Sequence, residues 1–249
     1  MASVYDAMAP TFDRRRSLPE GVPEAVRSAV LRYAPGPRVL DLGAGSGRIG
    51  RPFVQAGDDY TAIDLSFGML RVFAEHHPSA RLTQADGARL PFANGCFGAV
   101  LLVQVLSLAR GWRHLLGDAL RVLRPGGALI VGRVVAPEDG VDAQLKTRLA
   151  AILAAMDIHP YRDKPRDDAL SWLRRERPNP VVETIATWTE PRSPRAFLER
   201  HAAGARFSVL PEAVKRQAMA ELAGGCGDLD TAIPECYSFE LTIHREATP

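Results

Sequence analysis

A chain of 249 residues, 46% hydrophobic and 24% charged, has the makings of one large globular domain, or one domain carrying an inserted lid, with ample material for a core. Its 31 basic and 29 acidic side chains leave a net charge of +2, too small for bulk electrostatics to point to a nucleic acid or a membrane as partner. The three cysteines, Cys96, Cys226 and Cys236, have no metal-like spacing and read as thiols of a reducing compartment. With no basic-then-apolar leader at the start and no apolar run long enough to span a bilayer, the expectation is a cytoplasmic protein.

In chain order, Val22, Val26, Ala29, Val30 and Tyr33 recur at helical spacing, and Pro35-Gly36-Pro37 ends that helix. Arg38-Val39-Leu40-Asp41-Leu42 predicts a short buried strand that runs straight into glycines. A helix is expected from about Gly47 to Ala56, a strand at Tyr60–Asp64, and a helix capped by Ser66. Further strands are expected at Arg81–Asp86 and Phe97–Val105, then a helix at Trp112–Leu123 and a fifth strand at Ala128–Val134. Strands alternating with helices predict a doubly wound parallel sheet.

Beyond Ala136 the rhythm changes. Val141–Met156 and Arg166–Arg177 read as helices, Val181–Trp188 as a strand, Pro194–His201 and Pro211–Leu222 as helices, and Glu235–His244 as a last alternating strand. The expectation is an α/β fold: a Rossmann-like, seven-stranded, mostly parallel sheet with helices on both faces and a helical lid inserted after strand five. The chain divides into a leader at 1–34, a cofactor-binding core at 35–136, the lid at 137–180, and a segment at 181–249 that completes the sheet.

A strand that ends in glycines and opens a helix can receive a ligand closely, because glycine allows positive φ and carries no Cβ. Gly45-Ser46-Gly47-Arg48-Ile49-Gly50 even fits the G-x-G-x-x-G dinucleotide pattern. Asp64, 21 positions after Gly43, could accept from both hydroxyls of a ribose. The acid Asp41, inside the first strand, argues against pyrophosphate and so against an NAD-dependent oxidoreductase. A ligand with a protonated amine and no phosphate suits it better, and S-adenosylmethionine has that chemistry.

Val39-Leu40-Asp41-Leu42-Gly43-Ala44-Gly45-Ser46-Gly47-Arg48 resembles the first motif of class I S-adenosylmethionine-dependent methyltransferases of the small-molecule, type 11-like kind. Ile63-Asp64-Leu65-Ser66 with Met69-Leu70 is similar to the second motif. Gln84-Ala85-Asp86-Gly87 with Leu90-Pro91-Phe92 is similar to the third, and Arg121–Gly127 to the one before strand five. The resemblance implies that Asp41 and the backbone of Gly43, Ala44, Gly45 and on to Gly47 hold the methionine end, and that Asp64 takes the ribose. It implies that Leu65 and Met69 flank the adenine, that Asp86 accepts from its N6, and that Gly87 or Ala88 donates to it. Gln104 would lie beneath the donor methyl. The leader, Tyr5-Asp6 through Arg16 to Pro19, resembles that of small-molecule methyltransferases, which implies that Arg16 pairs with the methionine carboxylate and Tyr5 closes the pocket.

The acceptor is less legible. Methyl transfer from a sulfonium is an in-line displacement, and a base is needed only if the acceptor must lose a proton. Leu102-Val103-Gln104-Val105-Leu106 stands where adenine-N6 and glutamine-N5 methyltransferases carry an (N/D)-P-P-(Y/F) motif, which disfavours that chemistry. His114, His159 and His201 are the histidines weighed as bases; His159 and Gln104 are the catalytic candidates, and His114 reads as structural. Arg133, His159 and Tyr161 are the substrate candidates, and no metal is implied. The reading is transfer to O, N or C of a small-molecule acceptor by a monomer or homodimer. The alternatives are modification of tRNA or rRNA, and a non-methylating S-adenosylmethionine-binding protein.

Overall fold

The structure, a computed structural model, describes residues 18–107, 109, 111–159, 165–202 and 210–245, with Asp6, Ala9 and Phe207 besides. Seven strands form one sheet: β1 Val39–Leu42, β2 Tyr60–Asp64, β3 Arg81–Gln84, β4 Phe97–Val103, β5 Leu123–Val135, β6 Val181–Arg192 and β7 Ile233–Arg245. Their order is β3-β2-β1-β4-β5-β7-β6. The first five pair in parallel, and the sheet is mostly parallel with one antiparallel hairpin. The described helices are α1 Val22–Tyr33, α2 Arg51–Gln55, α3 Phe67–His76, α4 Trp112–Val122, α5 Val141–Ala155, α6 Pro165–Glu176, α7 Pro194–Ala202 and α8 Glu212–Gly224. None is long and apolar enough to cross a membrane.

The chain forms two compact units. The first comprises residues up to Val134, Pro165–Ala186 and Phe239 onward. Every residue of β1 is buried, as a central parallel strand requires. Leu40 and Leu42 of β1, Val100 and Leu102 of β4, and Leu129 and Val131 of β5 share one cluster with α4 and α6. The alternation of side chains along a strand puts the intervening residues on the opposite face, where α1 packs against β4. Helix α4 buries Trp112, Leu115, Leu116, Ala119 and Val122, the spacing of a one-faced helix. His114 is on its other side and exposed, so it is no core histidine. Trp112 meets Trp172 of α6 at 5.9 Å between ring centroids.

The second unit comprises Val135–Lys164 and Thr187–Ser238. Helices α5, α7 and α8 close over Leu149, Leu153, Phe197, Ala218 and Leu222. Glu235 of β7, 6% exposed, accepts from the Val141 N–H at the start of α5 and from the Tyr237 hydroxyl. His201 stacks on Phe197, and burial pushes its imidazole down to about 4, so it is neutral. Residues 137–180 are divided between the two units, with α6 in the first.

Several elements differ in extent from the sequence expectation: β3 stops at Gln84, β6 runs on to Arg192, and three more have a visible cause. The helix after β1 begins only at Arg51, because Gly47 takes φ +87° and Gly47–Gly50 form turns. Strand β4 stops at Val103, since Gln104 turns out of the strand with φ +59°. Strand β5 begins earlier, at Leu123, which pairs with Phe97 across an irregularity in register.

Candidate functional site

The parallel register sets Leu42 beside Ile63 and Asp41 beside Leu101, so the carboxyl ends of β1, β2 and β4 reach one rim of the sheet. Strand order runs outward in opposite senses from β1 and β4, and the crevice at such a reversal is where ligands of open α/β sheets bind. A cavity of about 370 Å³ lies there.

Its floor is the turn after β1. The Gly43 and Ala44 N–H groups donate to the Ile63 carbonyl at 2.9 and 3.0 Å, tying the turn to β2. Gly45, at φ +59°, has nothing among the described residues near its Cβ position, whereas a Cβ on Gly47 would sit 2.3 Å from the Phe73 ring. Gly45 therefore lines the cavity and Gly47 does not; Gly47 lets the turn settle on α3.

Asp64 is clamped from both sides. Its Oδ2 accepts from the Gly45 N–H and its Oδ1 from the Ser66 N–H, each at 2.8 Å. Burial raises its pKa despite those bonds. Ser66 caps α3 by accepting from the Met69 N–H at 3.2 Å, and donates to Asp6 Oδ1 at 2.6 Å. Asp6 also accepts from the Gly68 N–H at 2.9 Å. One leader residue is thus fixed at the start of α3, beside the rim.

Asp41 is 1% exposed, lines the cavity, and accepts from the Tyr60 hydroxyl at 2.6 Å. Burial, with a smaller contribution from the Asp64 charge, pushes its pKa up to about 7. Burial and the Asp41 charge push the Tyr60 phenol upward as well. The Tyr60 oxygen lies 2.2 Å from where a Gly50 Cβ would stand, so this buried pair needs glycine at 50.

Asp86 stands on the turn after β3 and accepts, through Oδ1, from the Ala88 N–H at 2.9 Å. That takes Ala88 as a backbone donor. Arg121 and Asp118 of α4 hold the following loop: Arg121 donates to the Phe92 and Leu90 carbonyls at 2.8 and 3.1 Å, and Asp118 accepts from the Leu90 N–H. The Arg121 hydrogen bond holds the Asp118 carboxyl below its usual range.

Gln104 is held in its left-handed conformation by its N–H on the Gly132 carbonyl at 3.1 Å, and its Oε1 accepts from Arg48 at 3.2 Å. A non-glycine residue there is uncommon enough to mark a site.

Of the residues that sequence reasoning assigned to the cofactor, Asp41, Gly43, Ala44, Gly45, Asp64, Leu65, Met69, Asp86, Gly87, Ala88 and Gln104 all line this cavity. Tyr5, Arg16 and Tyr161 lie outside the described residues. Ser46, within the Gly43–Gly47 backbone expected at the methionine end, also lines it, and so does Arg48, for which the sequence suggested no role. Tyr60 was missed too, since it touches the site only through Asp41.

A second cavity, of about 220 Å³, shares Gln104 and Val105 with the first. Arg133 of β5 lines it and pairs with Glu240 of β7 at 2.9 Å. His244 lines it as well and was not among the histidines weighed from sequence. His159 is in the second unit, exposed, 3.7 Å from Asp157, and lines neither cavity.

Comparison with known proteins matches residues 40–131 to the family model described as a methyltransferase domain. The chain is 31% identical over 193 residues to a protein of Renibacterium salmoninarum named demethylmenaquinone methyltransferase, covering 76% of this chain and 81% of that one. Among solved structures it resembles the YcgJ protein of Bacillus subtilis, with TM-score 0.56, 17% identity, and 90% and 99% of the two chains covered. It also resembles a Haemonchus contortus phosphoethanolamine N-methyltransferase solved with S-adenosylhomocysteine, with TM-score 0.52 and 16% identity, over 97% of this chain and 58% of that one.

Proposed function

The chain belongs to the class I S-adenosylmethionine-dependent methyltransferases, and on that premise we propose that it transfers the methyl group to a small-molecule acceptor, with the donor in the first cavity and the acceptor in the second. The observation that carries this reading is the shared wall: Gln104 and Val105 line both cavities.

The residues of the first cavity fit the donor chemically. A buried carboxyl, Asp41, and a half-buried one, Asp64, suit a ligand that is cationic at its amino-acid end and bears ribose hydroxyls, and Gly45, with nothing among the described residues near its Cβ position, leaves the backbone free for close approach. In this reading Asp41 and the Gly43–Gly45 turn hold the amino-acid end, and Asp64 accepts from the ribose. Leu65 and Met69 flank the adenine, and Asp86 accepts from its exocyclic amine. With Ala88 committed to Asp86, the backbone donor to the adenine is Gly87. Arg16, in this reading, pairs with the methionine carboxylate and Tyr5 closes the pocket; both lie outside the described residues.

The bound cofactor supplies an electrophilic methyl on a sulfonium. The protein's own part is alignment and exclusion of water, which can account for much of the acceleration of an in-line displacement. Gln104, fixed by Gly132 and Arg48, forms the partition where donor and acceptor meet. Arg133 faces the acceptor side.

The test is calorimetric titration with S-adenosylhomocysteine, followed by incubation with S-adenosylmethionine and reduced demethylmenaquinone, the first acceptor suggested by the relative's name. Micromolar or tighter binding and methylated product support the reading. Binding without product moves the acceptor to another small molecule. Binding of NADH but not of S-adenosylhomocysteine contradicts it.

A further inference from the structure

One side chain of the second cavity is left unbalanced. His244 is 2% exposed, on the face of β7 that also gives Glu240 and Thr242 to the cavity. Its Nδ1 is 3.5 Å from the Arg177 carbonyl, while its buried Nε2 has no hydrogen-bond partner among the described residues. Burial foremost, and the Arg174 and Arg177 charges after it, hold the imidazole below its ordinary pKa, so the ring is neutral. With the proton on Nδ1 toward Arg177, Nε2 offers a lone pair, and buried polar atoms of this kind are nearly always met by a donor.

The cavity has two polar ends. Glu240 and His244 are four positions apart on β7, about 13 Å at 3.3 Å per residue. Arg166 and Arg174, on the α6 side, are eight positions apart, about 12 Å at 1.5 Å per residue. Gln104 and the Arg133–Glu240 pair mark the end at the cofactor cavity, since Gln104 is bonded to Gly132 next to Arg133. His244 and Arg174 mark the other. Val131 and Leu170 make the stretch between them apolar.

We propose that this cavity takes an elongated, largely apolar acceptor with a hydroxyl at its leading end. The hydroxyl donates to His244 Nε2 and accepts from the Arg174 guanidinium, and the methyl-accepting atom is left against Gln104 and Val105. A carboxylate would satisfy Arg174 but bring no proton to Nε2, and an apolar end would satisfy neither. This rests on the first cavity being the donor site.

The test uses the S-adenosylhomocysteine complex with two probes, 4-propylphenol and its methyl ether 4-propylanisole, and ¹⁵N-histidine spectra as readout. The phenol is expected to bind at least about tenfold more tightly than the ether, as a site built around a hydroxyl rejects the analogue lacking its proton. It is also expected to move the His244 Nε2 resonance. His244→Ala and Arg174→Met should each weaken phenol binding at least about fivefold, with S-adenosylhomocysteine affinity within about twofold of the parent. If His244→Ala does not fold, the exposed Arg174 and the parent spectra decide the matter. Equal affinity of the probes, or an unmoved His244 resonance at saturation, overturns the proposal while leaving the donor site standing. Failure to bind S-adenosylhomocysteine overturns both.

Discussion

The Tyr60 hydroxyl donates to Asp41 Oδ2 at 2.6 Å beneath the first cavity, with both residues almost wholly buried. Burial has already brought that carboxyl to about 7, so its charge is undecided until a ligand arrives. A cationic amino group beside it favours the ionised form. Affinity for S-adenosylhomocysteine should therefore rise with pH, by up to about tenfold per unit below 7, and level off above. Calorimetry at several pH values checks this; Asp41→Asn should bind more weakly and flatten the profile.

The same residue sets a stability difference of opposite sense. Its folded pKa is raised from 3.8 to about 7, so the stability gained from the retained proton is full below 3.8 and is lost as pH rises through 7. Asp41→Asn should thus raise the melting temperature of the ligand-free protein at pH 8 more than at pH 5. A shift of about 2–4 °C for each kcal/mol is the scale for a chain of this size.

Neighbouring glycines of one turn should fail differently. Gly47→Ala drives a methyl into the Phe73 ring at a left-handed backbone position, and is expected to cost at least about 2 kcal/mol of folding stability. Gly45→Ala meets nothing among the described residues, so it should cost about 1–2 kcal/mol of backbone strain and act mainly by weakening cofactor binding. Denaturant unfolding and ligand titration on the two variants separate the effects.

Gln104 carries its own conformational cost at φ +59°. Gln104→Gly should leave stability unchanged or raise it by about 1 kcal/mol, since glycine accepts that φ freely. It should lower kcat for methyl transfer while changing S-adenosylhomocysteine affinity little. A parallel loss of stability and activity would make Gln104 merely structural.

The sheet and the lining of the first cavity were legible because they are local. Val39–Gly47 and Ile63–Met69 each put strand, turn and ligand-facing residues within a few positions, and β1 to β4 fell close to their expected places. What escaped depends on long-range register. Tyr60 matters only because β2 sets it on Asp41 of the neighbouring strand, and His244 only because β7 and α6 bring it beside Arg174. The Gly47–Gly50 segment read as helix because its composition allows one, but packing on Phe73 and Tyr60 decided otherwise.

Asp64 is the most direct test of the donor site. Since its carboxylate also holds the Gly45 and Ser66 N–H groups, weaker binding by Asp64→Ala alone would not separate ribose recognition from a loosened turn. The decisive measurement is a double cycle: S-adenosylhomocysteine against its 2′,3′-dideoxy analogue, on the parent protein and on Asp64→Ala. If Asp64 takes the ribose hydroxyls, the parent should prefer the natural ligand by at least about tenfold, and the variant should bind the two about equally. An undiminished preference in the variant would contradict the placement of the donor.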